Sequence, residues 1–359
     1  MHGALVLQRR VFEMPEIKKI GVLTGGGDSS GLNAAIRGVV MRAADYGYEV
    51  LGIHDGWAGL INGDAAPLSI DEVREILSHG GTILGTSRTN PFKKEEDVVK
   101  CIENVKKLGL DAVVAIGGDD TLGVANKLSQ RGVPCVGVPK TMDNDVSGTD
   151  YCIGFDTAVT VAVDAVERLR DTARSHRRIM VLEVMGRDAG WVALVTAMAG
   201  GADWVLIPEV EPDFDAMCDH LLKLRAAGKP YGVVVVSEGV NIPGLAEEPS
   251  GETDAFGHVR LGLRGVGHVV GNEIEKRTGI QTRVAVVGHI QRGGSPTVTD
   301  RFYATRLGMA AVDLVSRGEF GKMPAFAGGE IRVVDLATAV GKTKSVPESL
   351  YKEAMALFK

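Results

Sequence analysis

The sequence predicts a doubly wound α/β fold, in which parallel strands carry helices on both faces of the sheet. Short runs rich in β-branched residues alternate with longer helical patterns, as they do in βαβ units. Polar clusters stand directly after several of the strand-like runs, where open α/β sheets bind their ligands. The length of 359 residues exceeds that of one ordinary domain and predicts two.

The first strand-like run, 20–24, is followed by a glycine turn and a helix over about 29–46, which Gly47 ends. Two stretches, 242–258 and 322–330, have a surface-like composition, and the second leads to a last short strand near Ile331. The other predicted strands are 112–116, 135–138, 179–184, 205–207, 232–236 and 283–287. The other predicted helices are about 94–108, 122–131, 157–174, 189–200, 213–227, 265–278 and 299–317.

The composition is that of a globular protein, with 45% hydrophobic and 24% charged residues. A net charge of −6 argues against nucleic acid as the main partner. The four cysteines lack disulfide or metal spacing, and no apolar stretch reaches the roughly 18 residues of a membrane span, so we expect a cytoplasmic protein. Residues 1–14 lack the features of a signal peptide and are interpreted as an extension.

Six polar clusters follow strand-like runs, and we expect them to enclose one site between two facing sheet edges. Any single cluster could be only a glycine-assisted turn, but ordinary turns seldom concentrate so many charged groups. The clusters lie at 25–28, 117–120, 140–145, 185–187, 238–239 and 289–294.

The first two clusters combine glycines with features that attract phosphate. The glycines at 25–27 precede a helix whose first turn is expected to contain Ser29 and Ser30, so free amides there favour an anion. A tight turn explains these glycines equally well, and neither a Walker motif nor a dinucleotide fingerprint is present. In the second cluster, Asp119 is the candidate ligand of Mg²⁺ bridging phosphate oxygens. Helix capping is the alternative role for Asp119 and Asp120.

The third cluster places Asp143 and Asp145 two residues apart, so in an extended segment both side chains face one side. One carboxylate can then deprotonate a sugar hydroxyl while its neighbour orients it. An Asx-turn or a Ca²⁺ site is the alternative, and the absence of an EF-hand loop argues against Ca²⁺.

Positive charge in this acidic chain comes from Arg178, Arg187, Arg283, His289 and Arg292, and arginine suits phosphate because it donates two parallel hydrogen bonds. If the run from Arg283 to His289 is extended, six residues place the two about 20 Å apart. Arg178 and Arg187 would be still further apart. If all these residues serve one substrate, the site must be shared across a subunit interface.

In this order and spacing, the motifs resemble those of the 6-phosphofructokinase family. They are Gly-Val-Leu-Thr-Gly-Gly-Gly-Asp, Gly-Gly-Asp-Asp-Thr, Pro-Lys-Thr-Met-Asp-Asn-Asp, Met-Gly-Arg and Gly-His-Ile-Gln-Arg-Gly-Gly-Ser-Pro. The resemblance runs from about Lys18 to Lys322 and implies two Rossmann-like, three-layer α/β domains with the active site in the cleft between them. We assign 15–154 and about 291–341 to a donor-binding domain, and 155–290 and about 342–359 to a domain that binds fructose 6-phosphate.

The resemblance implies a role for each motif residue. Asp143 corresponds to the base that takes the proton of the 1-hydroxyl of fructose 6-phosphate, with Thr141 and Asp145 beside it, and Asp119 corresponds to the magnesium-associated acid. Arg187 and Lys140 are assigned to catalysis as well as to binding. The positions implied for the phosphoryl donor are Gly26, Gly27, Arg88, Gly118, Asp119, Asp120, Thr121 and Lys140. Those implied for the sugar phosphate are Thr141, Asp143, Met185, Gly186, Arg187, Glu238, His289 and Arg292.

Arg178 and Arg283 resemble arginines that reach the 6-phosphate from the neighbouring subunit. The resemblance therefore implies a homodimer or homotetramer with a shared site, in agreement with the distance argument above.

Asp120 and Lys140 resemble the pyrophosphate-dependent branch of the family, because ATP-dependent relatives typically have glycine at the first position and many have it at the second. A carboxylate at Asp120 would repel the α-phosphate of ATP, by about 1 kcal/mol in water and about 4 kcal/mol in a partly buried site. Lys140 would neutralise pyrophosphate, although some relatives with this lysine use ATP. The implied reaction is the reversible, Mg²⁺-dependent, glycolytic transfer of phosphate from pyrophosphate to fructose 6-phosphate, giving fructose 1,6-bisphosphate.

Three alternatives remain at this point. An ATP-dependent 6-phosphofructokinase differs only in the donor. A non-catalytic regulatory subunit is less favoured because Asp119, Thr141, Asp143 and Arg187 are all present. A lipid or nicotinamide dinucleotide kinase shares only a similar Gly-Gly-Asp turn and does not explain the segment 289–294.

Overall fold

The computed structural model describes residues 17–243, 256 and 264–358. The interpretation of 1–14 as an extension, and most of the stretch 242–258, therefore lie outside the described residues. Within the described part, the chain forms two mostly parallel β-sheets with helices on both faces, as the sequence predicts.

Eleven strands are present in the described ranges. They are β1 (Lys19–Thr24), β2 (Glu49–Ile53), β3 (Ala65–Pro67), β4 (Ala112–Gly117), β5 (Cys135–Pro139), β6 (Ile179–Val184), β7 (Trp204–Leu206), β8 (Gly232–Ser237), β9 (Thr282–Val286), β10 (Lys322–Ala327) and β11 (Glu330–Asp335).

The α-helices of the described part are α1 (Leu32–Asp45), α2 (Trp57–Asn62), α3 (Ile70–Val73), α4 (Glu95–Lys107), α5 (Asp119–Gln130), α6 (Phe155–His176), α7 (Trp191–Gly200), α8 (Phe214–Ala226), α9 (Val266–Thr278), α10 (Val298–Ser316), α11 (Leu336–Ala339) and α12 (Glu348–Leu357).

The larger sheet has the strand order β11-β10-β5-β4-β1-β2-β3, and the smaller has the order β7-β8-β6-β9. All pairs are parallel except β2–β3 and β10–β11 at the two edges of the larger sheet. The central strand β4 is buried at every residue, as expected for a parallel strand covered on both faces. Each sheet falls within one of the two domains that we assign from the sequence, and the exact domain boundaries remain a prediction.

Each sheet is the middle layer of three. In the larger sheet, one face packs against α1 and α10 and the other against α2, α4 and α5. In the smaller sheet, α6 and α7 cover one face and α8 and α9 the other. The C-terminal helix α12 also packs on α7, so the chain end returns to the smaller sheet.

The prediction of a surface-like stretch at 322–330 is wrong, because most of it is strand β10, with Met323 and Ala325 fully buried. The proline in this run argues against a strand when the sequence is considered alone. It is tolerated because β10 pairs with β5 at a single position, Lys322 with Val136, so Pro324 interrupts no ladder with β5. The last strand near Ile331 is confirmed as β11, the antiparallel partner of β10.

All four cysteines are free and buried, as core thiols are expected to be. Among the described residues, no helix is both long enough and apolar enough to cross a membrane.

Candidate active site

A cavity of about 270 Å³ lies where the strand ends of the two sheets face each other. Five of the six predicted clusters contribute to its lining, and the sixth, at 238–239, touches it through Arg187. Thirteen of the predicted site residues line the cavity: Gly26, Gly27, Arg88, Gly118, Asp119, Asp120, Thr121, Lys140, Thr141, Asp143, Asp145, Arg187 and Arg292.

Lys140 lines the cavity beneath the glycine turn at 25–27. Its ammonium donates to Gly25 O at 3.0 Å and also to Gly27 O, and its side chain is only 2% exposed. Burial lowers the pKa of Lys140 to about 7, and the charge of Arg292 acts in the same direction. This lysine therefore titrates near neutral pH, and an anion bound beside it would favour its charged form.

The glycine turn does not run into a helix in the way that the sequence predicts. Helix α1 begins only at Leu32, after Gly31 in the left-handed conformation, so the prediction that Ser29 and Ser30 lie in its first turn is wrong. Ser30 instead donates its hydroxyl to the carbonyl oxygens of Gly293 and Gly294. It thereby ties the segment that follows the first cluster to the cluster at 289–294.

Asp119 and Asp120 form the first turn of α5, whose N-cap is Gly118. The capping alternative is therefore wrong for both acids, because neither occupies the cap position. Asp119 Oδ1 accepts a hydrogen bond of 2.7 Å from Gly341 N, which fixes this carboxylate in the cavity. Thr121 packs closely against the glycine turn at 25–27. A Cβ at Gly25 would lie 2.6 Å from Thr121 Oγ1, so this position requires glycine.

The segment with the two acids, 141–145, is a turn, so the expected extended segment is wrong. Asn144 has a φ of 54°, and its side-chain oxygen accepts from Cys152 N at 2.9 Å, which holds the turn closed. Thr141 Oγ1 accepts from Asp143 N at 3.1 Å. Both carboxylates, those of Asp143 and Asp145, nevertheless line the cavity.

Asp143 is the most deeply placed acid of the cavity. It is 5% exposed, and among the described residues no group donates a hydrogen bond to its Oδ1 atom. Native proteins seldom leave a buried carboxylate oxygen without a donor, so this atom is suited to a hydroxyl of a ligand.

Two neighbouring carboxyls hold their protons unusually tightly. Burial raises the pKa of Asp145 to about 6, and the negative charge of Asp143 adds to this shift. Burial likewise raises the pKa of Glu238 to about 7, again with Asp143 as the second cause. These three acids thus lie close together beside Arg187, and perturbed carboxyls of this kind are typical of a functional site.

Arg187 and Arg292 both bring positive charge to the lining of the cavity, Arg187 beside Asp145 and Arg292 beside Lys140. Arg187 has a φ of 50°, a left-handed conformation that is uncommon outside glycine, and Glu238 Oε1 accepts from its backbone N at 3.4 Å. Arg292 is 8% exposed and donates from Nη1 to Asp28 O at 2.9 Å.

Six predicted residues do not line the cavity. Met185 is buried, with its backbone N donating to Gln291 Oε1 at 2.9 Å, and Gly186 precedes Arg187 in the same turn. Glu238 accepts a hydrogen bond from Arg187 N, as described above, and His289 is exposed. The remaining two are Arg178 and Arg283.

Arg178 and Arg283 lie at the amino ends of the neighbouring strands β6 and β9, whereas the cavity faces the carboxyl ends. Arg178 donates from Nε to Gln281 Oε1 at 2.7 Å, which keeps it beside the start of β9. Within one chain, these two arginines therefore cannot reach the cavity.

Sequence reasoning missed four residues of the lining, namely Asp188, Gly341, Lys342 and Thr343. Asp188 adjoins the recognised Met-Gly-Arg motif and could have been included with it. The other three come from a C-terminal segment without any motif, which only the folded chain brings beside Asp119.

The part of the cavity beside Asp119 suits Mg²⁺ held in part by a ligand. Within the described ranges, no group of three or more His, Cys, Asp or Glu residues is arranged to hold a metal. Magnesium is often held by one or two carboxylates together with substrate phosphates, and Asp119 at the start of α5 fits that arrangement.

The model of the phosphofructokinase family matches residues 19–315. This chain belongs to the phosphofructokinase family. The family membership and the fold class predicted from the motifs are thereby confirmed. The pyrophosphate–fructose 6-phosphate 1-phosphotransferase of Dictyoglomus thermophilum is 57% identical, and the alignment covers 95% of this chain and 98% of that protein.

Relatives with the other donor are also similar. ATP-dependent 6-phosphofructokinase 3 of Streptomyces coelicolor is 48% identical, over 94% of this chain and 98% of that protein. Among solved structures, a pyrophosphate-dependent phosphofructokinase from Nitrosospira multiformis has a TM-score of 0.80 at 24% identity, over 95% of this chain and 92% of that one. The structural match supports the fold.

Proposed function

We propose that this chain transfers a phosphoryl group from pyrophosphate to the 1-hydroxyl of fructose 6-phosphate, giving fructose 1,6-bisphosphate and phosphate. The observation that carries the proposal is the buried Oδ1 atom of Asp143, which has no donor among the described residues and shares a cavity with Lys140, Arg187 and Asp119. A base for a hydroxyl thus stands opposite groups suited to phosphate. The 57% identical relative carries this activity in its name.

In this reaction Asp143 accepts the proton of the 1-hydroxyl as its oxygen forms a bond to phosphorus. The bond between that phosphorus and the bridging oxygen of pyrophosphate breaks, and phosphate leaves. Arg187 and Lys140 stabilise the charge that spreads over the transferred group, while Arg292 binds the sugar phosphate. When Mg²⁺ is bound at Asp119, it neutralises charge on the donor's phosphate oxygens.

Pyrophosphate as donor is supported by Asp120, which lines the cavity in the first turn of α5. Its carboxylate adds a negative charge beside Asp119. This charge should weaken the binding of ATP, which has three phosphates, more than that of pyrophosphate, which has two. The ATP-dependent reaction is the second candidate, because an ATP-dependent relative is 48% identical.

The reverse reaction tests the proposal directly. Incubation of the purified chain with fructose 1,6-bisphosphate, phosphate and Mg²⁺ is expected to release pyrophosphate, visible by phosphorus NMR, and EDTA should stop its release. Formation of no pyrophosphate, with fructose 1,6-bisphosphate unchanged, would contradict the proposed function.

Lys140 is expected to impose a pH limit on donor use. Because its pKa is about 7 in the free enzyme, it loses its charge above neutral pH, and kcat/KM for pyrophosphate should fall as pH rises beyond about 7. In Lys140→Met this fall should be absent, and kcat/KM for pyrophosphate should be low at every pH. The ionisation of pyrophosphate itself is the same for both proteins, so an identical falling limb in the variant would contradict this assignment.

We also propose that the site is completed by a second subunit. Arg178 and Arg283 lie at the amino ends of β6 and β9, too far from their own cavity to touch its ligand, so they are free to serve the cavity of a partner in a homodimer or homotetramer.

Subunit mixing tests this arrangement. Arg178→Ala and Asp143→Asn should each be nearly inactive, but refolding them together should restore roughly a quarter of the dimer's activity through hybrid sites. Mixing Asp143→Asn with Arg187→Ala is the matched control, because both residues line the same cavity and no intact site can form. Equal activity in the two mixtures would contradict sharing.

We further propose a cytoplasmic location, which the four buried free cysteines support. Cell fractionation with an antibody against the chain tests it, and recovery in a secreted fraction would contradict it.

A further inference from the structure

The C-terminal strap, which we define as residues 341–344, passes beside Asp119 and Asp120, and we call this part of the cavity the donor end. Its first three residues, Gly341, Lys342 and Thr343, are part of the lining. The strap follows α11, whose residues Leu336 and Ala339 are fully buried in the same core cluster as residues of α5. The helix that begins with Asp119 and the strap are therefore packed as one unit.

Hydrogen bonds fix the strap along its length. Gly341 N donates to Asp119 Oδ1 at 2.7 Å, and Lys342 O accepts from Ser147 Oγ at 2.9 Å. Thr343 pairs with Val146 in an antiparallel bridge. The strap is thus attached to α5 at one end and to the segment beyond the catalytic turn at the other.

Lys344 is the inner anchor of the strap. Its backbone N donates to Asp145 O at 2.7 Å, its ammonium donates to Thr149 O at 2.9 Å, and its carbonyl accepts from Trp191 Nε1 at 2.7 Å. With both ends held, the position of Lys342 over the cavity is set by the fold.

The charges at the donor end leave a role for another cation. The lining there carries the carboxylates of Asp119 and Asp120 and the cations of Arg88 and Lys140, and the ammonium of Lys140 is bonded to two carbonyl oxygens beneath the glycine turn. Pyrophosphate brings several negative charges of its own. Within the described residues, the ammonium of Lys342 forms no ion pair, and its side chain is exposed at the cavity wall. A charge-assisted hydrogen bond from such a group favours a phosphate strongly.

We propose that Lys342 binds the phosphoryl donor and is a positioning residue for pyrophosphate. This inference rests on the proposed function. The strap holds the lysine at the cavity wall next to Gly341, which is bonded to Asp119, so its long side chain can bring a positive charge to the phosphates of the donor. Lys342 therefore acts on donor binding and leaves the sugar phosphate unaffected.

The test compares Lys342→Met with Lys342→Arg and with Lys107→Met, an exposed lysine at the end of α4 that serves as a control for loss of one surface charge. In Lys342→Met, KM for pyrophosphate should rise roughly 10-fold, since a hydrogen bond to a charged group is lost. KM for fructose 6-phosphate and the melting temperature should stay unchanged. Lys342→Arg should recover most of the affinity, and Lys107→Met should match the wild type.

Binding of imidodiphosphate, measured by calorimetry without turnover, should weaken by the same factor in Lys342→Met. If the wild type uses pyrophosphate and Lys342→Met keeps the wild-type KM and imidodiphosphate affinity, the inference is overturned and the proposed function stands. An equal rise in KM for both substrates would also overturn it, since that indicates a general structural role. A wild type that uses ATP and not pyrophosphate would overturn both.

Discussion

Asp143→Asn is expected to lower kcat by about 10³-fold while fructose 6-phosphate still binds. The substitution keeps the shape of the side chain, but an amide cannot accept the proton of the 1-hydroxyl. Because Asp143 is 5% exposed and its Oδ1 atom has no donor among the described residues, the loss should appear in turnover and scarcely in binding. Steady-state kinetics combined with calorimetric binding of fructose 6-phosphate would measure both effects.

Asp188→Asn is the matched control, since Asp188 also lines the cavity but is exposed. It should change kcat far less. Full activity in Asp143→Asn would remove this residue as the base. Loss of turnover with binding retained would also exclude a non-catalytic regulatory subunit, because such a protein has no turnover to lose.

The second large effect concerns the choice of donor. Asp120→Gly combined with Lys140→Gly should raise the ratio of kcat/KM for ATP to that for pyrophosphate by about 10- to 100-fold. The repulsion removed is about 1 kcal/mol in water and about 4 kcal/mol in a partly buried site, and Asp120 is half-buried. Most of the change should come from Asp120, whereas loss of Lys140 should mainly weaken pyrophosphate.

Asp120→Asn separates charge from size in this comparison. If repulsion of the α-phosphate decides the donor, the asparagine variant should gain much of the ATP activity; if crowding decides it, only glycine should do so. Unchanged discrimination in all variants would show that Asp120 does not select the donor.

The fold was predictable wherever a pattern is local. The buried strands β1, β4 and β6 are largely apolar runs followed by helices, and the predicted strands overlap them closely. Strand β2 and the edge strand β3 were missed, and β10 was misread, because short runs with glycine or proline acquire a strand conformation from their neighbours in the sheet.

The site was predictable to a similar extent and for the same reason. Clusters that directly follow strands reach the cavity, since the sheet brings their carboxyl ends together. The turn at 141–145 was predicted as extended because its closure depends on Cys152 N, a partner outside the motif. The strap was not predicted. Its place beside Asp119 depends on the packing of α11 against α5, and no motif in the strap indicates that packing.

The most direct test of this account is the donor preference of the wild-type chain. Formation of fructose 1,6-bisphosphate, followed by a coupled aldolase assay at a fixed concentration of fructose 6-phosphate and Mg²⁺, gives kcat/KM for each donor. The account predicts that the value for pyrophosphate exceeds that for ATP by about 10- to 100-fold, as expected from a carboxylate at Asp120, which is half-buried. A clear preference for ATP, with no activity from pyrophosphate, would contradict it.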